Sequence, residues 1–579
     1  MDVFQLLLSY RLLVHDPPVP TWPPMPLNPD DWPSVAVFVP TVTEPVAVLR
    51  RTLVGCLAQE YPPHRMAIYL LDDGHREAVQ ALARDYGVRY LARPDHADAK
   101  AGNLNWALAH TTSDIVVIFD ADMVPKPQAV HDLVRPLVAD PGCAFAQAPQ
   151  AFYNPDLFQH NLGFYDALPN EQEFFMRRLE AARAQFNAAL FVGSNAAFRR
   201  AALTELGGFP TGTLTEDAAT SLLLQARGWR SAFVPAVVAQ GLAAESWGEF
   251  LRQRDRWCRG NLQVARKWPP WRLPGLTWTQ RLIYTAGMLY WYFGVQKMIY
   301  LVAPLAFLDA GIWSVHASVW ALGAVWVPAY LAQRGAFVRL TQGTRSVWWS
   351  HVYEVAQAPA LAWSALAETV GLRRRVFHVT ANAVQSDRVC IVWSTMTVWY
   401  GSFAASVLGV GRAVWQVGRH PTLWSWVIIA GAWTIYNAAA ILAAMAVSVD
   451  YPRWRASERF WVNRPSTVRH GDQRVSVFMV DLSEGGSRLT GILPWPVGTG
   501  VQVLVDDVWI PGVIIRLEEG GTPRVGRVNA RGIFGRLTLD VWAIRAVWRD
   551  RTGGSVGEHS GDDRGFPALR SAAVRWMLV

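Results

Sequence analysis

From Ser34 onward, short runs of β-branched and aromatic residues alternate with segments of helical periodicity: "SVAVFVP", "MAIYLLDDG", "VRYLARP" and "DIVVIFDAD". Helices are expected over 46–59 and 97–110, and the alternation predicts a mainly parallel sheet with helices on both faces. Such sheets bind ligands at the carboxyl ends of their strands. Both "LDDG" and "FDAD" fall there. From Thr279 the pattern turns apolar, and four stretches (284–308, 316–333, 389–411 and 423–449) approach the ~20 residues that a bilayer requires. Between the second and third, "SVWWSHVYEVAQAPALAWSALAETVG" carries Glu354, Glu368 and Pro359, so it reads as an amphipathic interfacial helix instead of a fifth crossing. After Pro452 a period of two returns in "RVSVFMVDLSEGGSRL" and "VQVLVDDVWIPGVIIRL", which predicts a small β-barrel. The apolar start, "MDVFQLLLSYRLLV", is too short to span and reads as the end of a helix or an interfacial anchor. The stretch from Arg551 is rich in Gly, Ser and Asp and is expected to be disordered. The units are therefore 1–33 (apolar, then proline-rich), 34–278 (α/β), 279–450 (helical, transmembrane), 451–550 (barrel) and 551–579 (tail).

Composition strengthens the membrane reading. Hydrophobic residues make up 51% and charged residues 17% of the 579, with 29 tryptophans, a profile of a membrane protein with sizeable soluble parts. Arg334, Arg339, Arg345, Arg373, Arg374, Arg375 and Arg388 lie between the second and third spans, whereas 309–316 has no Lys or Arg. The positive-inside rule places that middle segment in the cytoplasm. An even number of spans puts 34–278 and 451–579 on the same side. The net charge of +8 follows from this bias, and no basic run accompanies a nucleic-acid-binding fold. Cys56, Cys143, Cys258 and Cys390 have no CxxC spacing, so neither a zinc site nor a disulfide framework follows.

Four short motifs carry candidate chemistry. Asp120 and Asp122 in "FDADMVP" lie one residue apart past a strand end, where two carboxylates can converge on Mg²⁺ beside phosphate oxygens; a solvated acidic turn is the plain alternative. Asp72 and Asp73 at another strand end could hold a ribose or a uracil edge, or cap the next helix. In "GTLTEDAATSLLL", Thr215 reads as an N-cap and Asp217 as a first-turn acid, or Asp217 as a base for an attacking hydroxyl. Gln253, Arg256 and Trp257 share about one helical turn. A tryptophan face can stack on a sugar and an arginine can serve a diphosphate, and the same helix can lie at the headgroups.

Taken in order, DDG, DxD, TED and QxxRW resemble the processive family 2 glycosyltransferases, most closely bacterial cellulose synthase catalytic subunits. "VFVPTVTEP", "AKAGNLNWAL", "VGSNAAFRR" and "FHVT" extend the likeness over most of the chain. The resemblance implies a GT-A glycosyltransferase domain in a multidomain membrane protein of the bacterial inner membrane, multi-pass, with its catalytic domain cytoplasmic. It implies that Thr41, Glu44, Asp72 and Lys100 hold UDP-glucose, that Asp120 and Asp122 position Mg²⁺, that Asp217 is the base, and that Glu216 beside it binds substrate. Gln253, Arg256 and Trp257 would meet the acceptor end and the pyrophosphate. Thr380 would belong to a gating segment. The implied product is a growing β-glucan, cellulose, extruded with a periplasmic accessory subunit. A β-1,3- or mixed-linkage glucan, or a receptor without turnover, stays as an alternative.

"RASER" and "DLSEGG" at the entry to the barrel resemble the RxxxR and [DN]xSxxG motifs of PilZ domains. Arg455, Arg459, Asp481, Ser483 and Gly486 would then bind cyclic di-GMP, since arginine forks match phosphates and stack on guanines.

Overall fold

Seven consecutive buried residues, Val35–Thr41, form the first strand (β1) of the computed structural model. It describes residues 20–164, 168–313, 318–341, 345–372, 389–419, 424–452, 460–483, 486–505, 508–518 and 525–529. Along β1 the side chains alternate between two cores. Val35, Val37 and Val39 pack with Leu49 and Leu53 of the Val46–Leu57 helix, while Ala36 and Phe38 pack with Leu104 and Phe198 on the opposite face. This is the period-two geometry of a strand covered on both sides.

The next strands are β2 (Met66–Asp72), β3 (Arg89–Leu91), β4 (Ile115–Ile118), β5 (Val124–Pro125), β6 (Cys143–Gln147), β7 (Ala151–Phe152), β8 (Ala196–Arg199), β9 (Arg230–Phe233) and β10 (Ala239–Gly241). The main sheet runs β3-β2-β1-β4-β8-β6-β9. Pairing is parallel as expected, except that β8 lies antiparallel to both β4 and β6. Between β2 and β4 the expected helix at 97–110 appears as Ala99–Ala109. A small sheet, β5-β10-β7, flanks the strand ends.

A 21-residue helix, Trp247–Lys267, leads out of this domain. The apolar region then forms helices Trp278–Tyr290, Phe293–Ala310, Val319–Thr341, Val347–Thr369, Trp393–Arg419 and Trp424–Val447. The expected span at 284–308 is thus two helices, broken at Trp291 and Tyr292. Just past the break, a Cβ on Gly294 would lie 2.6 Å from the backbone nitrogen of Ala362, so the second helix crosses Val347–Thr369 where no side chain fits. That helix runs unbroken through Pro359 and buries Val352, Tyr353, Val355, Ala356, Leu361 and Ala365. Among the described residues, Phe293–Ala310 and Trp424–Val447 are long and apolar enough to cross a membrane. The Val319–Thr341 helix buries only Thr341 and exposes Trp320, Val325 and Trp326.

Two short strands, β11 (Cys390–Ile391) and β12 (Val449–Asp450), pair antiparallel. The predicted barrel follows as β13 (Phe460–His470), β14 (Gln473–Ser483), β15 (Gly486–Thr490), β16 (Gly500–Val505), β17 (Val508–Glu518) and β18 (Val525–Asn529). It closes in the order β13-β14-β15-β18-β17-β16 around Val468, Val477, Met479, Leu489, Val503 and Ile514.

Candidate active site

Parallel register sets Thr41 opposite Asp72 at the ends of β1 and β2. The Glu44 carboxylate accepts from Thr41 Oγ1 at 2.6 Å and from the Val42 amide at 2.8 Å. Arg76 ties the three together. Its guanidinium donates to Thr41 Oγ1 (2.7 Å), to the Glu44 carbonyl (2.6 Å) and to Asp72 Oδ1 (3.1 Å). Asp72, fully buried, also accepts from the amides of Gly74 (3.0 Å) and Arg76 (2.8 Å) and from the Tyr90 hydroxyl (3.1 Å). It therefore holds the turn that leads into the Glu77–Asp85 helix without capping it, since the N-cap position is Arg76 and makes no side-chain capping bond. Arg76 carries no motif signal and was not anticipated.

The Asp120 loop follows β4 directly. Its amide donates to Ser194 Oγ at 2.8 Å, and Thr52 Oγ1 donates to the Ala121 carbonyl at 2.7 Å. Lys100 reaches in from its helix, pairs with the Asp120 carboxylate and donates to the Gly193 carbonyl at 2.8 Å. Burial pulls the Lys100 pKa down, but Asp120, Glu216 and Asp217 outweigh it and hold the ammonium above its ordinary value. Asp122 is buried alongside. Among the described residues no group of three or more His, Cys, Asp or Glu could hold a metal ion. Two hard carboxylates suit a Mg²⁺-type ion that completes its shell with phosphate oxygens and water, and at Asp120 such an ion would compete with Lys100.

Asp217 lies in the first turn of the Glu216–Ala226 helix. Burial, and then the negative charge of Glu216, raise its pKa to about 7, against the pull of Lys100 and Arg256. A Cβ on Gly193, whose φ is +94°, would stand 3.4 Å from Asp217 Oδ2 and 3.6 Å from Lys100 Nζ. The glycine thus leaves open the space between the Asp217 carboxylate and the Lys100 ammonium. Ser221 Oγ links this helix to the loop by donating to the Asp217 carbonyl (3.0 Å) and accepting from the Phe191 amide (2.6 Å).

Thr215 occupies the N-cap position, yet its side chain makes no capping bond. It packs instead on Gly260 of the Trp247–Lys267 helix, where a Cβ would come 2.7 Å from Thr215 Oγ1. Gly260→Ala is therefore expected to force the two helices apart at about 1–3 kcal/mol. Lower thermal stability and slower turnover would register the change, and a variant indistinguishable from wild type would refute the contact.

Gln253, Arg256 and Trp257 share that helix at one-turn spacing, each half-buried. Arg256 is near enough for its charge to act on Asp217. Arg254 lies over the Trp257 ring, 4.2 Å from its centroid, and pairs with Glu171. Asp255 accepts from Arg259 (2.7 Å) and from Ser364 Oγ (2.6 Å). One turn on, fully buried Glu368 takes Arg266 at 2.8 Å, Gln263 at 3.2 Å and Arg259 at 3.8 Å. Asp255, Arg259, Gln263 and Arg266 thus fasten the helix to Val347–Thr369. At its start the Trp247 amide donates to both oxygens of Asp450 on β12, at 2.8 and 3.0 Å.

In the barrel, Asp481 and Ser483 lie at the end of β14, and Gly486 opens β15 in register with Ser483. Arg455, Arg459 and Thr380 lie outside the described residues.

Residues 33–260 match the model of the glycosyltransferase like family 2, and residues 454–531 match the PilZ domain. Cellulose synthase 1 of Komagataeibacter xylinus is 34% identical over 94% of this chain, which spans 35% of that protein. The UDP-forming cellulose synthase 1 catalytic subunit of the same organism is 32% identical over 93% of this chain and 75% of its own length. The corresponding catalytic subunit of Pseudomonas fluorescens (strain SBW25) is 33% identical over 79% of this chain and 62% of its own. The chain therefore spans about a third of the first relative and three quarters of the second. With a GT-A domain, a helical region and a PilZ barrel in that order, it belongs to the family of cellulose synthase catalytic subunits.

Proposed function

We propose that the chain is a processive, inverting glycosyltransferase that polymerises glucose from UDP-glucose into a β-1,4-glucan. The observation that carries this reading is one half-buried junction: Asp217, its pKa raised to about 7, stands across Gly193 from the Lys100–Asp120 pair and packs through Thr215 on the helix of Trp257. Asp217 as carboxylate takes the proton of the acceptor hydroxyl. That oxygen attacks the anomeric carbon from the face opposite the nucleotide, the bond to UDP breaks, and an α-linked donor becomes a β-linkage. Lys100 and Arg256 meet the negative charge that gathers on the diphosphate. Asp120 and Asp122 would hold Mg²⁺, which supplies further charge neutralisation there. Gln253 and the open face of Trp257 support the acceptor end, since Arg254 covers the other face.

In this reading the protein lies in the bacterial inner membrane with four spans, its catalytic and PilZ domains in the cytoplasm, and delivers its polymer to a periplasmic accessory subunit. The exposed apolar faces at Trp320, Val325, Leu408, Val414, Ile428 and Ile435 suit lipid. Membranes carrying the protein are given labelled UDP-glucose and Mg²⁺, with and without cyclic di-GMP, and the product is treated with a β-1,4-specific endoglucanase. Digestible polymer supports the proposal. Resistant polymer assigns another linkage, and no polymer refutes it.

Cyclic di-GMP is the proposed activator, bound by Arg455, Arg459, Asp481, Ser483 and Gly486. Arg455→Ala with Arg459→Ala is expected to remove stimulation by the nucleotide and leave the unstimulated rate in place. Equal stimulation of variant and wild type would reject the assignment.

A further inference from the structure

Lys100 enters the site from a strained turn. Asp98 and Ala99, immediately before it, have φ of +59° and +47°, the left-handed region that L side chains avoid. One buried guanidinium holds the turn. Arg93, 3% exposed, forks onto Asp73 with Nε to Oδ1 and Nη2 to Oδ2 both at 2.7 Å. Its remaining donors reach the Ala99 carbonyl at 2.9 Å and the Ala97 carbonyl. The carbonyls on both sides of Asp98 are thereby bound to one residue.

The other end of the fork is just as well placed. Asp73 follows Asp72, and its amide donates to the Thr41 carbonyl at 2.9 Å. A Cβ on Gly102 would collide with both the Ala97 carbonyl and the Arg93 guanidinium, so the clamp closes only over a glycine.

We propose that Arg93 is a positioning residue of the sugar-nucleotide site: it clamps Asp73 to the left-handed turn at Asp98 and Ala99 and so delivers Lys100 to Asp120 and Gly193. Arg93 touches no reacting atom. This rests on the reading of Thr41, Asp72 and Lys100 as nucleotide-holding. It adds a mechanical link between the β2 end and the Lys100 helix, which that reading lacks.

The test pairs hydrogen exchange with kinetics on the full chain in detergent. Arg93→Met is expected to speed amide exchange across residues 97–101 about tenfold and to raise the KM for UDP-glucose about tenfold, with a smaller fall in kcat. Glycine adopts the left-handed turn without penalty. In an Ala99→Gly background the same Arg93→Met change is therefore expected to raise KM about threefold or less. Unchanged exchange at 97–101, or an equal KM penalty in both backgrounds, overturns the proposal. If Arg93→Met does not accumulate as folded protein, Arg93→Lys takes its place, since a single ammonium cannot fork onto a carboxylate and two carbonyls. A wild type that does not turn over UDP-glucose would sink the functional reading, and the exchange data would still decide the clamp.

Discussion

Replacing Asp217 with asparagine is expected to lower glucose transfer about 10²–10⁴-fold, the usual worth of a general base, while sugar-nucleotide binding persists. The amide is isosteric and its oxygen can keep the 2.7 Å bond from the Ala218 amide, so the fold has no cause to fail. What it loses is the ability to accept a proton. The sign of the pH dependence follows from the pKa of about 7: below it the carboxyl is protonated and idle, above it the base is available. The wild-type kcat/KM should therefore rise with pH through about 7 and lose that limb in Asp217→Asn. Because Glu216 contributes to the upward shift, Glu216→Gln should move the limb to lower pH. Initial rates across the pH range check both, and an asparagine variant that keeps half the rate would place the base elsewhere.

The second large effect concerns stability. Glu368→Ala is expected to destabilise the protein by about 3–5 kcal/mol, the magnitude for removing one partner of a buried ion pair. Its carboxylate is fully buried, and without it Arg259, 6% exposed, would keep Asp255 alone as its counter-charge while Arg266 and Gln263 lose this acceptor. Removing Arg266, 38% exposed, should matter less, because Glu368 then keeps Arg259 and Gln263. Thermal unfolding of Glu368→Ala, Arg266→Ala and the double variant separates the contributions. Equal losses from the two single changes would contradict the assignment. Glu368→Gln, which keeps hydrogen-bonding capacity toward Gln263 and Arg266, should fall in between.

The α/β alternation was legible because it is local: a strand's period of two and a helix's period of 3.6 are written in neighbouring residues. The placement of Asp72, Asp120 and Asp217 was legible for a related reason, since their distance from a strand end or helix start is fixed within a few residues. Arg76 and Arg93 were not. Arg76 meets Thr41 35 positions away and Arg93 meets Asp73 20 positions away, and a lone arginine in a loop resembles any solvated cation. The break at Trp291 and Tyr292 was hidden too, because "MLYWYFG" is apolar throughout. The close crossing of Gly294 over the Val347–Thr369 helix, just past the break, is equally invisible in that run. Strand β8, antiparallel to its neighbours in the main sheet, belongs to the same class, since its direction is settled by partners far along the chain.

Asp450 gives the molecule a natural seam. Its carboxylate caps the helix of Gln253, Arg256 and Trp257, and it is held in the β11–β12 ladder three residues before position 453. The capped helix and the PilZ match, which begins at residue 454, are therefore joined close to this one carboxylate. A fusion joined after residue 452 would exchange the barrel for another ligand-binding module and keep the tether, whereas one joined before Val449 would discard the cap with the barrel. The place where the two halves can be recombined is set by one carboxylate.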